Sequence, residues 1–77
     1  MRVRVFSTSA CPYCKMVKDF LRQNKIDFED INVEKDQKAA TEMIEKSGQM
    51  GVPVIEIDGK IIVGFNLNAI KAALKMR

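Results

Sequence analysis

The chain has 77 residues, 13 Lys and Arg against 10 Asp and Glu, a net charge of +3, and 47% hydrophobic and 30% charged residues. That is the balance of a folded soluble domain, and the charge surplus is too small to argue for a nucleic-acid partner. There is no histidine, which excludes Cys-His and Ser-His catalysis and any imidazole metal ligand. No apolar run approaches the ~18 residues of a membrane span, and Met1 to Phe6 lack the long apolar stretch of a signal peptide. The expectation is one cytoplasmic domain over residues 1–77, a monomer without membrane contact.

Arg2 to Phe6 alternates polar residues with Val3 and Val5 and reads as a short strand. Ser7 to Ala10 is a loop of small residues. A helix follows from Cys11, with Pro12 in its first turn, where a missing N–H is harmless. Val17, Phe20 and Leu21 recur at helical spacing, and Asn24 ends the helix. Ile26 to Val33 is strand-like around Phe28 and Ile31. Asp36 is an N-cap for a second helix whose apolar face holds Ala40, Met43 and Ile44, and Gly48 ends it. Val52 to Ile57 reads as a third strand, Asp58-Gly59 as a two-residue hairpin turn and Lys60 to Val63 as its partner. Gly64-Phe65-Asn66 leads into a last helix carrying Ala69, Ile70, Ala73 and Leu74, with Asn66 as a cap.

The order is β-α-β-α-β-β-α. The first β-α-β requires two parallel strands with a right-handed crossover, and the Asp-Gly hairpin is antiparallel. An α/β fold with a four-stranded mixed sheet and three helices over both its faces follows. The loop before Pro53 must return next to the Cys11 loop if the third strand pairs with the first.

The two cysteines, Cys11 and Cys14, stand in Ser9-Ala10-Cys11-Pro12-Tyr13-Cys14-Lys15. A disulfide between them closes too small a loop to staple the unfolded chain. A closed zinc site needs four ligands, and one Cys pair without histidine supplies half. Thiol redox chemistry is the better reading of a paired Cys-x-x-Cys. The thiolate is the nucleophile, and Cys11 would stand at a helix start, where free N–H groups and the dipole favour an anion. With Lys15 and Lys18 adding positive potential, this position is expected to draw Cys11 from ~8.5 into the ~3.5–7.5 range of reactive thiols. Cys14, one turn further in, would be more buried and less ionised. Cys11 then attacks a substrate disulfide, and Cys14 resolves the mixed disulfide and releases reduced product.

Around this pair, Tyr13 either packs near the site or presents its ring and hydroxyl to a bound thiol peptide, and surface contact is favoured. Pro12 stiffens the turn. A cis Val52-Pro53 bond would leave the Val52 backbone beside Cys11 to pair with an extended substrate; a trans proline would simply open a strand. Lys15, Lys18, Arg22 and Lys25 follow Cys11 at near-helical spacing and read first as a solvated face. Steering of acidic disulfides such as glutathione is a second use for them.

Four elements together resemble the glutaredoxin family of the thioredoxin fold: Cys11-Pro12-Tyr13-Cys14 after a short strand, Val52-Pro53 before the hairpin, Ile57-Asp58-Gly59-Lys60 at the turn, and Gly64 before the last helix. The resemblance spans nearly the whole chain. It implies glutathione- or redoxin-linked disulfide reduction, cis at Pro53, Cys11 as nucleophile and Cys14 as resolver. It also implies a substrate surface built from Pro12, Tyr13, Lys15, Val52, Pro53, Gly64, Phe65 and Asn66. No tightly bound cofactor and no metal are expected; glutathione is the implied co-substrate. The glutathione pocket matches in part. Gly51 stands where glutaredoxins usually carry Thr, and Leu67 stands where an acid would meet the ligand's ammonium. Gly64-Phe65 is closer to NrdH-type redoxins, which are reduced by thioredoxin reductase. The expected partners are therefore glutathione or thioredoxin reductase, together with disulfide-containing proteins.

A soft-metal carrier is the competing class, since paired thiolates suit Cu(I). Small copper carriers read β-α-β-β-α-β, however, whereas this chain has a helix between its second and third strands.

Overall fold

A computed structural model describes residues 2–75. The elements are β1 (Val3–Ser7), α1 (Pro12–Gln23), β2 (Glu29–Asn32), α2 (Gln37–Ser47), β3 (Val54–Ile57), β4 (Lys60–Val63) and α3 (Leu67–Ala73). The sheet order is β2-β1-β3-β4, so β1 and β3 are central. β1 and β2 run parallel, with Val5 opposite Asp30 and Ser7 opposite Asn32. β1 and β3 are antiparallel, with Arg4 opposite Glu56, and β3 and β4 form the antiparallel hairpin. The expected α/β fold with a mixed four-stranded sheet and three helices is the observed one.

Successive strand side chains point to opposite faces, and each face has its own core. Val3, Val5, Ile55, Ile57 and Ile62 pack with Val17 and Leu21 of α1 and Ile70 and Leu74 at α3. Phe6 and Val54 pack on the other side with Ala39 and Met43 of α2. Fully burying one such side chain contributes about 1.5–3 kcal/mol. The apolar stripe read for α2 is shifted: Ala39 and Met43 are buried, while Ile44 is 38% exposed.

Local signals set the boundaries. Asp36 caps α2, its carboxylate accepting the Ala39 N–H at 3.1 Å, and Gly48 closes it at φ +74°. Asn66 caps α3 through the Ala69 N–H at 3.1 Å. Asp58 and Gly59 both have positive φ, 49° and 88°, as a type I′ hairpin turn demands.

Three strands differ from their sequence reading. β1 runs to Ser7 rather than Phe6. β3 starts at Val54, two residues after Val52, because the chain first turns through Val52 and Pro53. β2 is only Glu29–Asn32, and the end of α1 supplies the reason. Lys25 takes φ +57°, its N–H bonds the Arg22 carbonyl at 3.0 Å, and the Ile26 N–H bonds the Leu21 carbonyl at 2.9 Å. This paired closure is a Schellman motif. It commits the Ile26 amide to the helix, so alternation around Phe28 cannot extend the strand backwards.

Candidate active site

β1 ends in the centre of the sheet, and the chain leaves it through residues 8–10 to reach α1. Two contacts hold this loop against the strand beside it. The Val33 N–H donates to the Ser7 carbonyl at 2.9 Å. The Glu34 carboxylate accepts the Ser9 N–H at 2.7 Å and the Ser9 hydroxyl at 3.0 Å. These two bonds hold the Glu34 carboxyl below its ordinary value, the backbone bond more than the hydroxyl.

Cys11 is the N-cap of α1, and its Sγ accepts the Cys14 N–H at 3.1 Å. The Cys11 carbonyl accepts the Lys15 N–H at 3.2 Å, closing the first turn. A cap usually offers an oxygen to this amide; here a sulfur takes that place, at the end of the helix dipole that holds anions. Pro12 sits in the first turn, where its missing N–H is not needed. Both cysteines are free thiols. Cys11 is half-buried, whereas Cys14 is only 1% exposed. Burial pushes the Cys14 thiol up to about 11, helped by its hydrogen bond with Cys11; the Thr8 backbone and Lys18 act against the rise.

Val52 returns to this point. Its carbonyl lies 3.9 Å from the Cys11 sulfur, and the Val52-Pro53 bond is cis. The Pro53 carbonyl accepts the Gly64 N–H at 2.8 Å, so the segment leading to α3 is tied to the one facing Cys11. Gly64 has φ +78°, a conformation that favours glycine. The fold thus brings Cys11, Cys14, Val52, Pro53 and Gly64 together. Tyr13 stands 61% exposed beside them, and Lys15 projects to solvent. Phe65, next to Gly64, is partly buried and packs against the core formed by the sheet, α1 and α3. Asn66 follows Gly64 and Phe65 at the start of α3, where its side-chain oxygen accepts the Ala69 N–H as the helix cap.

Lys18 differs from its place in the sequence reading. It is not an open charge beside Cys11: its Nζ lies 2.9 Å from Asp30 Oδ1, which also accepts the Ser7 hydroxyl at 3.2 Å. The alternation of Arg2 to Phe6 placed Arg4 on the polar side and gave no sign of its partners. Arg4 pairs with Glu42 at 2.6 Å and with Glu56, and Lys46 pairs with Glu42 at 3.0 Å and Glu56 at 2.6 Å. This network fastens α2 to the sheet on the face that carries Phe6 and Val54. Its signal in sequence is four charges of alternating sign on three elements, which becomes visible only once the elements are paired.

Among the described residues, no group of three or more His, Cys, Asp or Glu side chains is placed to hold a metal ion. No helix of the described chain is long and apolar enough to cross a membrane.

Comparisons with known proteins agree with this geometry. The glutaredoxin family model matches residues 3–62. The chain is 53% identical over 64 residues to a glutaredoxin-like 8.6 kDa protein in the rubredoxin operon of Clostridium pasteurianum, covering 83% of this chain and 85% of that one. It is 36% identical over 63 residues to the glutaredoxin-like protein NrdH of Lactococcus lactis, covering 82% and 86% of the two chains. The crystal structure of a glutaredoxin from Archaeoglobus fulgidus superposes with a TM-score of 0.88 at 29% identity, over 96% of this chain and 86% of that one. A Cys-x-x-Cys at the start of α1, a cis proline facing it and a family match over most of the length converge on one conclusion: this chain belongs to the glutaredoxin family of the thioredoxin fold, with similarity to its NrdH-like members.

Proposed function

We propose that the protein is a dithiol–disulfide oxidoreductase that reduces protein disulfides or glutathione mixed disulfides through Cys11 and Cys14. The observation that carries this reading is the partly exposed Cys11, whose sulfur caps α1 and accepts the Cys14 N–H at 3.1 Å, with Cys14 buried a turn below. In the first step the Cys11 thiolate attacks a substrate disulfide R–S–S–R′. A Cys11–S–S–R bond forms, and R′–S⁻ leaves and takes a proton from solvent. In the second step Cys14 loses its proton and attacks the Cys11 sulfur. The Cys11–Cys14 disulfide forms, R–S⁻ departs, and it is protonated in turn. The Val52 backbone, 3.9 Å from the sulfur, is the surface along which an extended substrate lies. Glutathione is a co-substrate in this reading, and no tightly bound cofactor takes part.

A second electron donor is favoured by one specific resemblance. The 36% identity to an NrdH protein, together with Leu67 where an acid would hold glutathione, supports reduction by thioredoxin reductase. The experiment offers the oxidised protein NADPH with either glutathione plus glutathione reductase or thioredoxin reductase alone, and follows NADPH loss. The system that regenerates the dithiol names the donor. Turnover retained by Cys11→Ser in both systems overturns the assignment of Cys11 as nucleophile.

A further inference from the structure

Cys14 must act as a thiolate in the second step, yet it is buried, and burial opposes its charge. Some group must offset that cost during resolution.

The charged side chains on the elements around Cys14 are Lys15, Lys18, Asp19 and Arg22 on α1, Arg4 on β1, Glu29 and Asp30 on β2, and Glu34 just beyond it; Arg4 is taken up by Glu42 and Glu56 on the far face, and Arg22 and Glu29 are exposed. Glu34 is occupied by Ser9, and Asp19 pairs outward with Arg22 at 3.4 Å. Lys15 is exposed to water, which screens it. Lys18 differs from these on three counts. It follows Cys14 by four residues on α1, so the two side chains lie over one another on the same helix face, with about 5–6 Å between Cβ atoms. Its side chain is only 17% exposed, so its field is less screened. Its ammonium is also anchored, 2.9 Å from Asp30 Oδ1, while the buried Ser7 hydroxyl donates to the same oxygen at 3.2 Å. A long lysine side chain on an open helix face would be free to swing away. Here three elements, α1, β1 and β2, fix where the charge sits. Lys18 is also the cation whose field lowers the Cys14 thiol against burial.

We infer that Lys18, anchored by Asp30 and Ser7, is the charge that stabilises the Cys14 thiolate during resolution of the mixed disulfide, and that Asp30 is a positioning residue acting through Lys18. The inference rests on the dithiol reading above. Cys14 gives up its proton, the Cys14–Cys11 sulfur bond forms, and the bond from Cys11 to the substrate sulfur breaks. The electron pair leaves on that sulfur, which takes a proton back. Lys18 neither gains nor loses a proton.

Dipyridyl disulfide, a neutral probe, separates the two chemical steps. Attack by Cys11 releases one thiopyridone, and resolution by Cys14 releases the second. Both are followed by absorbance in a stopped-flow instrument across a range of pH, starting from the reduced full-length protein. Lys18→Met is expected to slow the second release and leave the first within about twofold. If loss of the charge raises Cys14 by about one pKa unit, the thiolate fraction falls about tenfold. The higher nucleophilicity of a more basic thiolate restores about threefold, leaving a net slowing of about threefold. The dependence of the second phase on pH should move upward, and Lys18→Arg should restore it. Asp30→Asn, which keeps the charge but removes its anchor, should slow the second release by a smaller factor.

Equal slowing of both phases in Lys18→Met, or a second phase with unshifted pH dependence, overturns the inference and leaves Lys18 a structural residue. An unchanged or faster second release in Asp30→Asn overturns the anchoring role of Asp30. A wild-type protein that releases a single equivalent, or a Cys11→Ser variant that still gives the first burst, overturns the dithiol reading and the inference with it.

Discussion

The Cys14 amide donates its hydrogen bond to the sulfur of Cys11 at 3.1 Å, so the two cysteines are linked by the geometry of one helical turn before any disulfide forms. One residue supplies a cap in place of the usual oxygen, and the other supplies the amide that the cap satisfies. The turn therefore presents one sulfur outward and keeps the other inside.

Selective alkylation should follow from that asymmetry. Only thiolates react appreciably with iodoacetamide, and the Cys14 thiol is pushed up to about 11, chiefly by burial. At pH 7 to 8 the reduced protein should take up one label, at Cys11, and Cys11→Ser should label at least about tenfold more slowly. Mass spectrometry of tryptic peptides reads the outcome; equal labelling of both cysteines contradicts it. The same group affects stability at alkaline pH. The folded state holds the Cys14 proton to higher pH than the unfolded chain, whose value is near 9.0. Its contribution is therefore complete below about pH 9 and is lost as pH rises through about 11. Cys14→Ala should flatten that alkaline decline in denaturant melts.

The network on the α2 face governs the acid limb. Arg4, then Lys46, holds the Glu42 carboxyl down to about 2. For Glu56, burial alone would raise the carboxyl, but hydrogen bonds from Lys46 and Arg4 outweigh it and bring it below its ordinary value. Depressed carboxyls stabilise the fold above their unfolded values and lose that contribution as protons are forced on. Stability should therefore fall as pH drops from about 4.5 toward 2, and Glu42→Gln should remove part of the slope. Glu56→Gln strips one carboxylate from two cations. Its cost should be about 1–3 kcal/mol, between the figures for an exposed and a buried pair, since Lys46 is partly open to water. Urea melts at pH 7 and pH 3 measure both effects.

Glu34 lies far from Cys11 in sequence but holds the loop that delivers it. Glu34→Ala removes the acceptor for the Ser9 N–H and hydroxyl, and the loop then has more conformations to lose on reaction. The first thiopyridone release should slow by about threefold, with the urea midpoint of unfolding little changed. A large loss of stability with an unchanged first step would contradict this separation.

Two backbone positions should respond with opposite signs. Gly48 closes α2 at φ +74° with open space where a Cβ would stand, so Gly48→Ala carries only the left-handed conformational penalty, about 1 kcal/mol. Lys25 occupies the same region at φ +57° without being glycine. Lys25→Gly should stabilise the fold by about 0.5 kcal/mol after the extra freedom of the unfolded chain is counted. Paired thermal melts decide both.

The helices, the hairpin and the dithiol could be read from the sequence because each has a local signature. Asp36 with Gly48, Asp58 with Gly59, and Cys11-Pro12-Tyr13-Cys14 all act within a few residues of themselves. The family resemblance added the cis bond at Pro53, which residue patterns left open between two isomers. What escaped reading depends on partners distant in the chain. Ile26 to Phe28 alternate as a strand would, but the Ile26 amide belongs to the end of α1. Lys18 carries the same charge on an open helix as it does beside Asp30, and only the β1–β2 pairing brings Ser7 and Asp30 to it. Arg4 looked like the solvent side of a strand until α2 was laid across it.

The placement of Arg4 opposite Glu56 also bears on how a chain with four- and five-residue strands finds one alignment. Such strands have few backbone bonds with which to tell a correct pairing from a slipped one. A slip of two residues preserves the inward and outward faces, so the apolar pattern would not detect it. It would, however, set Arg4 against Val54 or Asp58 and separate the guanidinium from Glu56. Stranded charge under a helix is costly to keep. These ions therefore proofread the central ladder: they penalise misalignment more than they reward the native fit, and so hold the strand that delivers the dithiol in its proper frame.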